Sequence, residues 1–289
     1  MTLALRLRLC LPAPAKINCF LHVTGQRDDG YHLLESVFVA IALADTVTLT
    51  LRTDGKISLH RPPDGLTEAN DLACRAARAL QSASGSPLGV DIQLLKRIPQ
   101  GAGLGGGSSD AATTLLGLNR LWKLGRSRAE LQGIAATLGA DVPFFVFGQP
   151  ALAQGIGEKL RAVTVPTTYA IVASPGVSVA TNGVFSHPDL TRNTNALQAP
   201  VFTLGYGRND LQAVAAGLAP DINRLLHTFE SAGAIPKMTG SGSCVFALAH
   251  SAGEALQWHA ALLRAGWRAW AVRTLARHPL YNLADGATI

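Results

Sequence analysis

The amino-acid sequence predicts a protein of mixed α and β structure that is divided into two domains. Segments in which apolar and polar residues alternate, as in half-buried strands, are interleaved with segments in which apolar residues recur at helical spacing. The length of 289 residues suggests two domains of about 150 residues each, although one large domain would also fit. Hydrophobic residues make up 48% of the chain, which is enough for a large core and excludes extensive disorder.

Strand predictions in the first half follow from this alternation. The odd-numbered leucines from Leu3 to Leu11 fall on one face of an extended segment, while Arg6 and Arg8 fall on the other. A short segment, 57–60, could complete a hairpin with the strand that precedes it. The other strands of this half are predicted over 17–24, 46–51 and 90–94.

Three helices are predicted in the first half from their apolar stripes and their ends. Asn70 is expected to cap the first of them. The second follows a glycine-rich loop and runs to about Trp122. The third begins after Ser127, which fits a capping box with Glu130, and Gly139 is expected just past its end.

The second half is predicted to continue the same mixture of elements. Strands are predicted over 170–173, 245–249 and 267–274, and helices over 211–218, 222–232 and 253–266. A second glycine-rich loop precedes the strand that begins at residue 245. The domain boundary is expected near residue 160, which gives domains of residues 1–160 and 161–289.

Composition narrows the class of protein without identifying a partner. The net charge of +6 permits nucleic acids, membrane surfaces or small anions as partners. No apolar run approaches the roughly 18 residues of a membrane span, and Arg6 and Arg8 interrupt what would be the core of a signal peptide. The four cysteines are widely spaced and contain no CxxC pair, which favours reduced thiols in a cytoplasmic protein over a disulfide framework or a zinc ribbon.

The loop from Pro99 to Asp110 is the strongest local signal of function. Five of the seven residues 101–107 are glycine, and the loop lies between a predicted strand and a predicted helix. Backbone N–H groups can converge there on a phosphate at the positive end of the helix dipole. The dinucleotide-binding fingerprint fits weakly, since Glu130 opens a helix instead of ending a second strand, and no Lys-Ser or Lys-Thr follows to make a Walker A loop.

Three segments in order resemble the motifs of the GHMP small-molecule kinases. They are Pro14-Ala-Lys-Ile-Asn18, the glycine-rich loop with its Ser-Ser pair, and Lys237-Met-Thr-Gly-Ser-Gly-Ser-Cys244. The segments Thr24–His32, Leu138–Phe144 and Arg192–Thr194 are similar to the branch of that superfamily that phosphorylates a cytidine-diphosphate-linked methylerythritol in the non-mevalonate route to isoprenoids. The resemblance covers nearly the whole chain.

This resemblance implies an α+β fold of two subdomains with the site in the cleft between them. The N-terminal subdomain would be like the second domain of a ribosomal protein and would hold ATP, and the C-terminal subdomain would be ferredoxin-like. The reaction implied is transfer of the γ-phosphoryl group of ATP, with Mg²⁺ as counter-ion, to the 2-hydroxyl group of the cytidyl substrate. A monomer or weak homodimer is expected, with neither nucleic acid nor membrane as a partner.

Site residues also follow from the resemblance. Asp141 is expected to be the catalytic base, and Lys16 to keep its carboxylate ionised. Tyr31 and Phe185 are expected to stack on the two faces of cytosine, His32 to hydrogen-bond its edge, and Asn18 and Thr181 to contact the substrate. The residues expected to bind ATP are Lys96, on the adenine side, and Pro99, Gly101, Ala102, Gly103, Leu104, Gly105, Gly106, Gly107, Ser108 and Ser109.

Other interpretations of the same residues remain open at this point. Ser108 and Ser109 could simply cap the helix, Lys96 could be a solvated lysine at a strand end, and Asp141 could be a polar turn residue. A mevalonate or homoserine kinase is the nearest alternative function, although it gives no reason for the Gly-Tyr-His segment. A basic RNA-binding protein is the alternative from another class, and the absence of a run of Lys and Arg argues against it.

Overall fold

Two β-sheets organise the chain in a computed structural model that describes residues 7–60, 67–196 and 205–285. The first sheet has six strands in the order β3-β4-β2-β5-β6, with β1 paired to β2, and the second has four in the order β10-β7-β9-β8. The strands are β1 (Arg8–Gln26), β2 (His32–Arg52), β3 (Ile57–Leu59), β4 (Gly89–Leu95), β5 (Ala151–Gln154), β6 (Lys159–Ala162), β7 (Tyr169–Ser174), β8 (Lys237–Met238), β9 (Val245–Ala249) and β10 (Arg268–Arg273). The helices are α1 (Leu72–Ser84), α2 (Gly106–Leu121), α3 (Arg128–Ala136), α4 (Val142–Phe147), α5 (Thr181–Phe185), α6 (Gln212–Leu218), α7 (Pro220–Ser231), α8 (Ala252–Arg264) and a short 3-10 helix (Tyr281–Asp285).

The strands β1 and β2 form one long antiparallel pair that reaches both halves of the molecule. Residues 8–11 of the first predicted strand and the predicted strand at 17–24 belong to the single strand β1, whereas residues 1–6 lie outside the described residues. The pairing of β1 with β2 shifts register after Pro14, after Asn18 and after Val23. Ile17 of β1 packs with Val172 and Phe246 of the second sheet. The middle of β1 is therefore buried between the two sheets, and any polar residue there needs partners inside the protein.

Helices cover one side of each sheet. Apolar side chains of α1, α2 and α4 pack on the first sheet, with Leu80, Leu115 and Phe145 fully or almost fully buried. On the second sheet, Phe229 of α7 and Leu262 of α8 are fully buried. The prediction of mixed α and β structure is therefore confirmed, and its amphipathic stripes are the surfaces that build the two cores.

Three local predictions are wrong. Segment 57–60 does not form a hairpin with β2, because β4 pairs with that edge of β2 and β3 instead joins β4 in parallel. Asp71, not Asn70, caps α1, since its carboxylate accepts the N–H of Cys74 at 2.9 Å. The capping box of Ser127 and Glu130 is present, but α3 ends at Ala136 and Gly139 lies beyond its C-cap.

The chain returns to its first half at its C-terminal end. Leu280 and Leu283 are buried in the core formed by the first sheet and its helices. The N–H of Leu275 donates to the carbonyl of Ala40 at 2.8 Å, and that of His278 donates to the carbonyl of Gly148 at 2.7 Å. The expected domain boundary near residue 160 stays a prediction. Among the described residues, no helix is long and apolar enough to cross a bilayer.

Replacing Asp71 by alanine is expected to lower the free energy of unfolding by about 1 kcal/mol, because α1 loses its N-cap acceptor. Urea unfolding followed by circular dichroism measures the change. Asp71→Ser keeps a side-chain acceptor at the same position and should retain most of the stability. Equal losses in the two variants would contradict the capping role.

Candidate active site

A cavity of about 1030 Å³ is lined by residues from both halves of the molecule. Strand β1, the loop before α2, the start of α4, helix α5 and the loop before β9 all contribute to its wall. Eleven of the residues predicted from the sequence line it: Lys16, Asn18, Tyr31, His32, Gly101, Gly103, Gly105, Ser108, Asp141, Thr181 and Phe185. Residues that are distant in the sequence are thus gathered around one space.

The buried ammonium group of Lys16 lies beside the carboxylate of Asp141. Its Nζ is 3.5 Å from Oδ2 of Asp141, and it donates a hydrogen bond of 2.7 Å to Oδ1 of Asn18. The same Nζ lies 5.1 Å from the centre of the Phe38 ring. Only 4% of the Lys16 side chain is exposed, against 32% for Asp141, so the pair has a buried cation and a carboxylate that reaches the cavity.

Asn18 connects β1 to the loop before β9. Its Oδ1 accepts hydrogen bonds from the backbone N–H of Gly240 at 2.9 Å and from the hydroxyl of Thr239 at 3.2 Å, in addition to Lys16. Its Nδ2 donates to the hydroxyl of Ser36 at 2.9 Å. The side chain is therefore engaged mainly by the protein, and the expected contact with the substrate stays a prediction.

The glycine-rich loop approaches the loop before β9 at backbone contact distance. A Cβ on Gly103 would lie 2.1 Å from the carbonyl oxygen of Thr239, and Gly103 has a φ of +77°. Gly105 has a φ of +70°, and its Cβ would lie 3.2 Å from Cγ of Lys16. At Gly103 the backbone contact excludes a side chain, and at both positions the positive φ favours glycine.

The start of α2 is suited to an anion. Gly105 is the N-cap and has no side chain to accept a hydrogen bond, and Ser108 and Ser109 lie inside the helix instead of capping it. The first-turn N–H groups of an α-helix have no partner within the helix, and the helix dipole adds positive charge at that end. Ser108 lines the cavity, so this helix start can receive a phosphate group there.

Seven residues expected to bind ATP do not line the cavity: Lys96, Pro99, Ala102, Leu104, Gly106, Gly107 and Ser109. Ala102 and Leu104 are buried in the apolar cluster between the sheets, where they anchor the glycine-rich loop. Ser109 is fully buried at the start of α2. ATP binding by the loop therefore stays a prediction, and the side chains of Ala102, Leu104 and Ser109 are buried in the protein instead of lining the cavity.

Lys96 is held beneath the loop by two buried carboxylates. Its ammonium forms ion pairs with both Asp45 and Asp110. Asp45 also accepts the backbone N–H of Ile98 at 2.8 Å, whereas Oδ1 of Asp110 has no hydrogen-bond partner among the described residues. Burial and the neighbouring charge of Asp45 raise the pKa of Asp110 to about 7 against the attraction of Lys96. Lys96 is thus not a solvated strand-end residue. Its ammonium gives two of its three N–H donors to these carboxylates, and the expected contact with adenine stays a prediction.

An aromatic group lies at another part of the cavity wall. Tyr31 follows a tight turn and is 60% exposed. The rings of His32 and Phe185 lie 5.1 Å apart at an angle of 35°. Thr181, at the start of α5, shares a hydrogen bond of 2.8 Å with Ser241 of the loop before β9. Stacking of a base between Tyr31 and Phe185 stays a prediction.

Arg192, Thr239, Gly240 and Phe38 are site residues that the sequence did not single out. Arg192 donates a hydrogen bond of 3.0 Å from its Nε to Nε2 of His32. Burial and the Arg192 guanidinium lower the pKa of His32. The first three residues belong to segments that carry the family resemblance, which was the available signal, whereas Phe38 lies in a long apolar run that gives no sign of its position beside Lys16.

Comparison with known families and proteins gives consistent matches. Residues 71–149 match the family described as GHMP kinases N terminal domain, and residues 190–268 match GHMP kinases C terminal. A protein of Azoarcus sp. named 4-diphosphocytidyl-2-C-methyl-D-erythritol kinase is 48% identical over 95% of this chain and 96% of its own length. A protein of Thiobacillus denitrificans with the same name is 49% identical over 94% of this chain and 97% of its own length.

Solved structures agree with this fold. A crystal structure of a 4-(cytidine 5'-diphospho)-2C-methyl-D-erythritol kinase is similar with a TM-score of 0.80 and 38% identity, over 92% of this chain and 99% of that one. A homoserine kinase from Cytophaga hutchinsonii has a TM-score of 0.64 at 17% identity, over 96% of this chain and 98% of its own, a similarity that concerns the fold alone.

Gly103→Ala is expected to destabilise the protein more than Gly101→Ala. Both glycines have a positive φ, which costs an alanine about 1–2 kcal/mol. Only at position 103 would the new Cβ also meet a backbone oxygen, since the nearest atom to a Cβ at Gly101 is 3.6 Å away. Free energies of unfolding in urea measure the difference, and equal losses would contradict the contact between the loops.

Asp110→Asn is expected to remove a pH dependence of stability. An unfolded aspartate has a pKa of about 3.9, so the raised pKa makes the folded state bind this proton more tightly than the unfolded chain. The wild type should therefore lose stability as pH rises from about 4 through about 7. The variant should not show this loss, because asparagine does not titrate.

Urea unfolding of wild type and Asp110→Asn at about pH 5 and about pH 8 tests this sign. The difference in unfolding free energy should move in favour of the variant at the higher pH. Asp28→Asn, at an exposed carboxylate, is the matched control and should show no such change. A constant difference between wild type and Asp110→Asn would contradict a protonated Asp110.

Proposed function

The chain belongs to the GHMP kinase family, and from this premise we propose that it transfers the γ-phosphoryl group of ATP to the 2-hydroxyl group of 4-diphosphocytidyl-2-C-methyl-D-erythritol. Relatives named 4-diphosphocytidyl-2-C-methyl-D-erythritol kinase are 48–49% identical to this chain over almost its whole length. The reaction belongs to the non-mevalonate route to isoprenoid precursors. We further propose that the enzyme is a cytoplasmic monomer or weak homodimer without a nucleic-acid partner.

The observation that carries this proposal is the position of the Lys16–Asp141 pair within the cavity. The glycine-rich loop and the start of α2 line the same cavity as the pair, and so do Tyr31 and Phe185. A phosphate donor can therefore be held at one part of the wall and a nucleobase at another. The acceptor hydroxyl would then lie beside Asp141, between the two ligands.

Asp141 would act as the general base in this reaction. Its carboxylate takes the proton of the acceptor hydroxyl as the oxygen forms a bond to the γ-phosphorus, and the bond from that phosphorus to the β,γ-bridging oxygen breaks to release ADP. The Lys16 ammonium, 3.5 Å from the carboxylate, adds positive charge near the transferred group. Phosphoryl transfer depends mainly on such positioning and charge neutralisation.

ATP fits the residues present. Gly103 and Gly105 line the cavity with backbone alone, and the N-terminal turn of α2 offers backbone N–H donors to the phosphates. We propose that Mg²⁺ enters with ATP, where it would neutralise charge on the phosphate oxygens. Mg²⁺ commonly binds through substrate phosphates, water and one or two carboxylates, and Asp141 is a carboxylate that lines the cavity.

The proposed function is tested by measuring ADP release with three acceptors in parallel. Purified protein receives ATP and Mg²⁺ with the cytidyl substrate, mevalonate or homoserine. Turnover is expected with the cytidyl substrate alone, because the other two offer no base for Tyr31, His32 and Phe185. Folded protein that turns over mevalonate or homoserine, and not the cytidyl substrate, would refute the proposal.

Asp141→Asn is expected to lower kcat by about 10²–10⁴-fold, since the variant lacks a general base while the shape of the site is retained. KM for both substrates should change little. The same assay with Asp189→Asn, an exposed carboxylate outside the cavity, provides the control and should give wild-type rates. Near-wild-type turnover by Asp141→Asn would exclude it as the base.

A further inference from the structure

Arg192 is fixed against one nitrogen of the His32 ring. Its Nε donates to Nε2 of His32 at 3.0 Å. Three backbone carbonyls hold the rest of the guanidinium: Nη1 donates to Leu190 at 3.0 Å, and Nη2 donates to Phe185 at 3.0 Å and to His187 at 2.8 Å. The arginine therefore has little freedom to turn away from His32, and both residues line the cavity.

This contact determines which nitrogen of His32 carries the proton. A guanidinium has only donors and stays protonated at all relevant pH values, so Nε2 of His32 must accept with its lone pair. A neutral histidine with a free lone pair on Nε2 has its hydrogen on Nδ1. Among the described residues no hydrogen-bond acceptor for Nδ1 is present, which leaves that N–H available to a ligand in the cavity.

The charged form of His32 is also disfavoured. A second proton on Nε2 would face the fixed positive charge of Arg192 with no lone pair left to accept from it. Partial burial acts in the same direction, and together they lower the pKa of His32. The ring is therefore held neutral and offers one donor and no acceptor to the cavity.

Cytosine and uracil differ in what they would present to such a donor. Ring nitrogen N3 carries a lone pair in cytosine and a hydrogen in uracil, and the group at position 4 is an amino donor in cytosine and a carbonyl acceptor in uracil. A ring with a donor alone cannot accept from the amino group of cytosine, but it can donate to N3. In uracil, the N3–H would point at the N–H of His32, and both donors would remain unpaired.

Resting on the proposed function, we propose that Arg192 is a positioning residue that sets the Nδ1–H tautomer of His32, so that this N–H donates to N3 of the substrate's cytosine and rejects uracil. Arg192 touches neither base nor phosphate in this arrangement. It acts through the orientation and tautomer of its neighbour, and Phe185, whose carbonyl it also binds, is held by the same guanidinium.

Two variants separate this role from a structural one. Arg192→Met keeps the length of the side chain and removes every donor, and Arg192→Lys restores a cationic donor that can still reach Nε2. The assay compares kcat/KM for the cytidyl substrate and for its uridine-diphosphate counterpart. Arg192→Met is expected to reduce the cytidyl-over-uridyl ratio by about tenfold or more, as for a lost pairing of one buried donor, without changing KM for ATP. Arg192→Lys should recover much of the ratio.

The tautomer itself is read from the wild-type protein. Nitrogen-15 NMR of the imidazole groups, with the His32 signals identified by their loss in His32→Gln, should show a protonated Nδ1 and an unprotonated Nε2. The opposite assignment would overturn the inference without any Arg192 variant, so the test stands even if Arg192→Met does not fold.

Each kinetic outcome has a separate meaning. An equal loss of kcat/KM for both substrates in Arg192→Met would assign Arg192 to support of the 185–190 segment alone and overturn the inference. An unchanged ratio would overturn it as well, while turnover of the cytidyl substrate by the wild type leaves the proposed function intact. Absence of that turnover in the wild type would remove the proposed function and this inference together.

Discussion

The structure depends on one buried charge. Lys16 lies in the buried middle of β1, so its ammonium must find partners within the protein. It finds the carboxylate of Asp141 from the start of α4, the amide oxygen of Asn18 and the ring of Phe38. Three separate elements are therefore brought to one point because leaving the cation unpaired would cost several kcal/mol.

The same point joins the two glycine-rich loops. The side-chain oxygen of Asn18 accepts hydrogen bonds from Thr239 and Gly240 in the loop before β9. The backbone N–H of Lys16 donates to the carbonyl of Leu104, in the loop before α2, at 3.0 Å. The N–H of Cys244 donates to the carbonyl of Ala102 at 3.1 Å, so the loops also touch each other directly. Backbone groups carry most of this contact, and glycine is the residue that permits backbones to approach so closely. The anion cradle is thus set by the core beneath it and is preorganised before a ligand arrives.

Much of this fold could be predicted from periodicity and capping chemistry. Strand β4 and helices α7 and α8 lie close to where their apolar patterns predict them, because each buries one side against a single core. Strand β7 also lies where its continuous apolar run predicts it, since it is buried on both faces. The pairing of β3 could not be predicted in this way. It depends on β4, about 30 residues further along the chain, which pairs with β2 and leaves β3 to pair with β4. Likewise, Lys96 has the sequence context of an exposed strand end. Only the fold shows that Asp45 and Asp110, from two other elements, enclose it.

The return of the chain to its first half has a mechanical consequence. The peptide crosses between the two sheets after β6 and crosses back after β10, where Thr274 forms a bridge to Ile41 of β2. The halves are thus joined by two crossings of the chain, and the hydrogen bonds from Thr239 and Gly240 to Asn18 hold them together beside the cavity. Cutting one peptide bond after β6 and removing the second half would leave the first half without Leu280 and Leu283, which complete its core. The N-terminal half would then expose the apolar surface that these leucines cover.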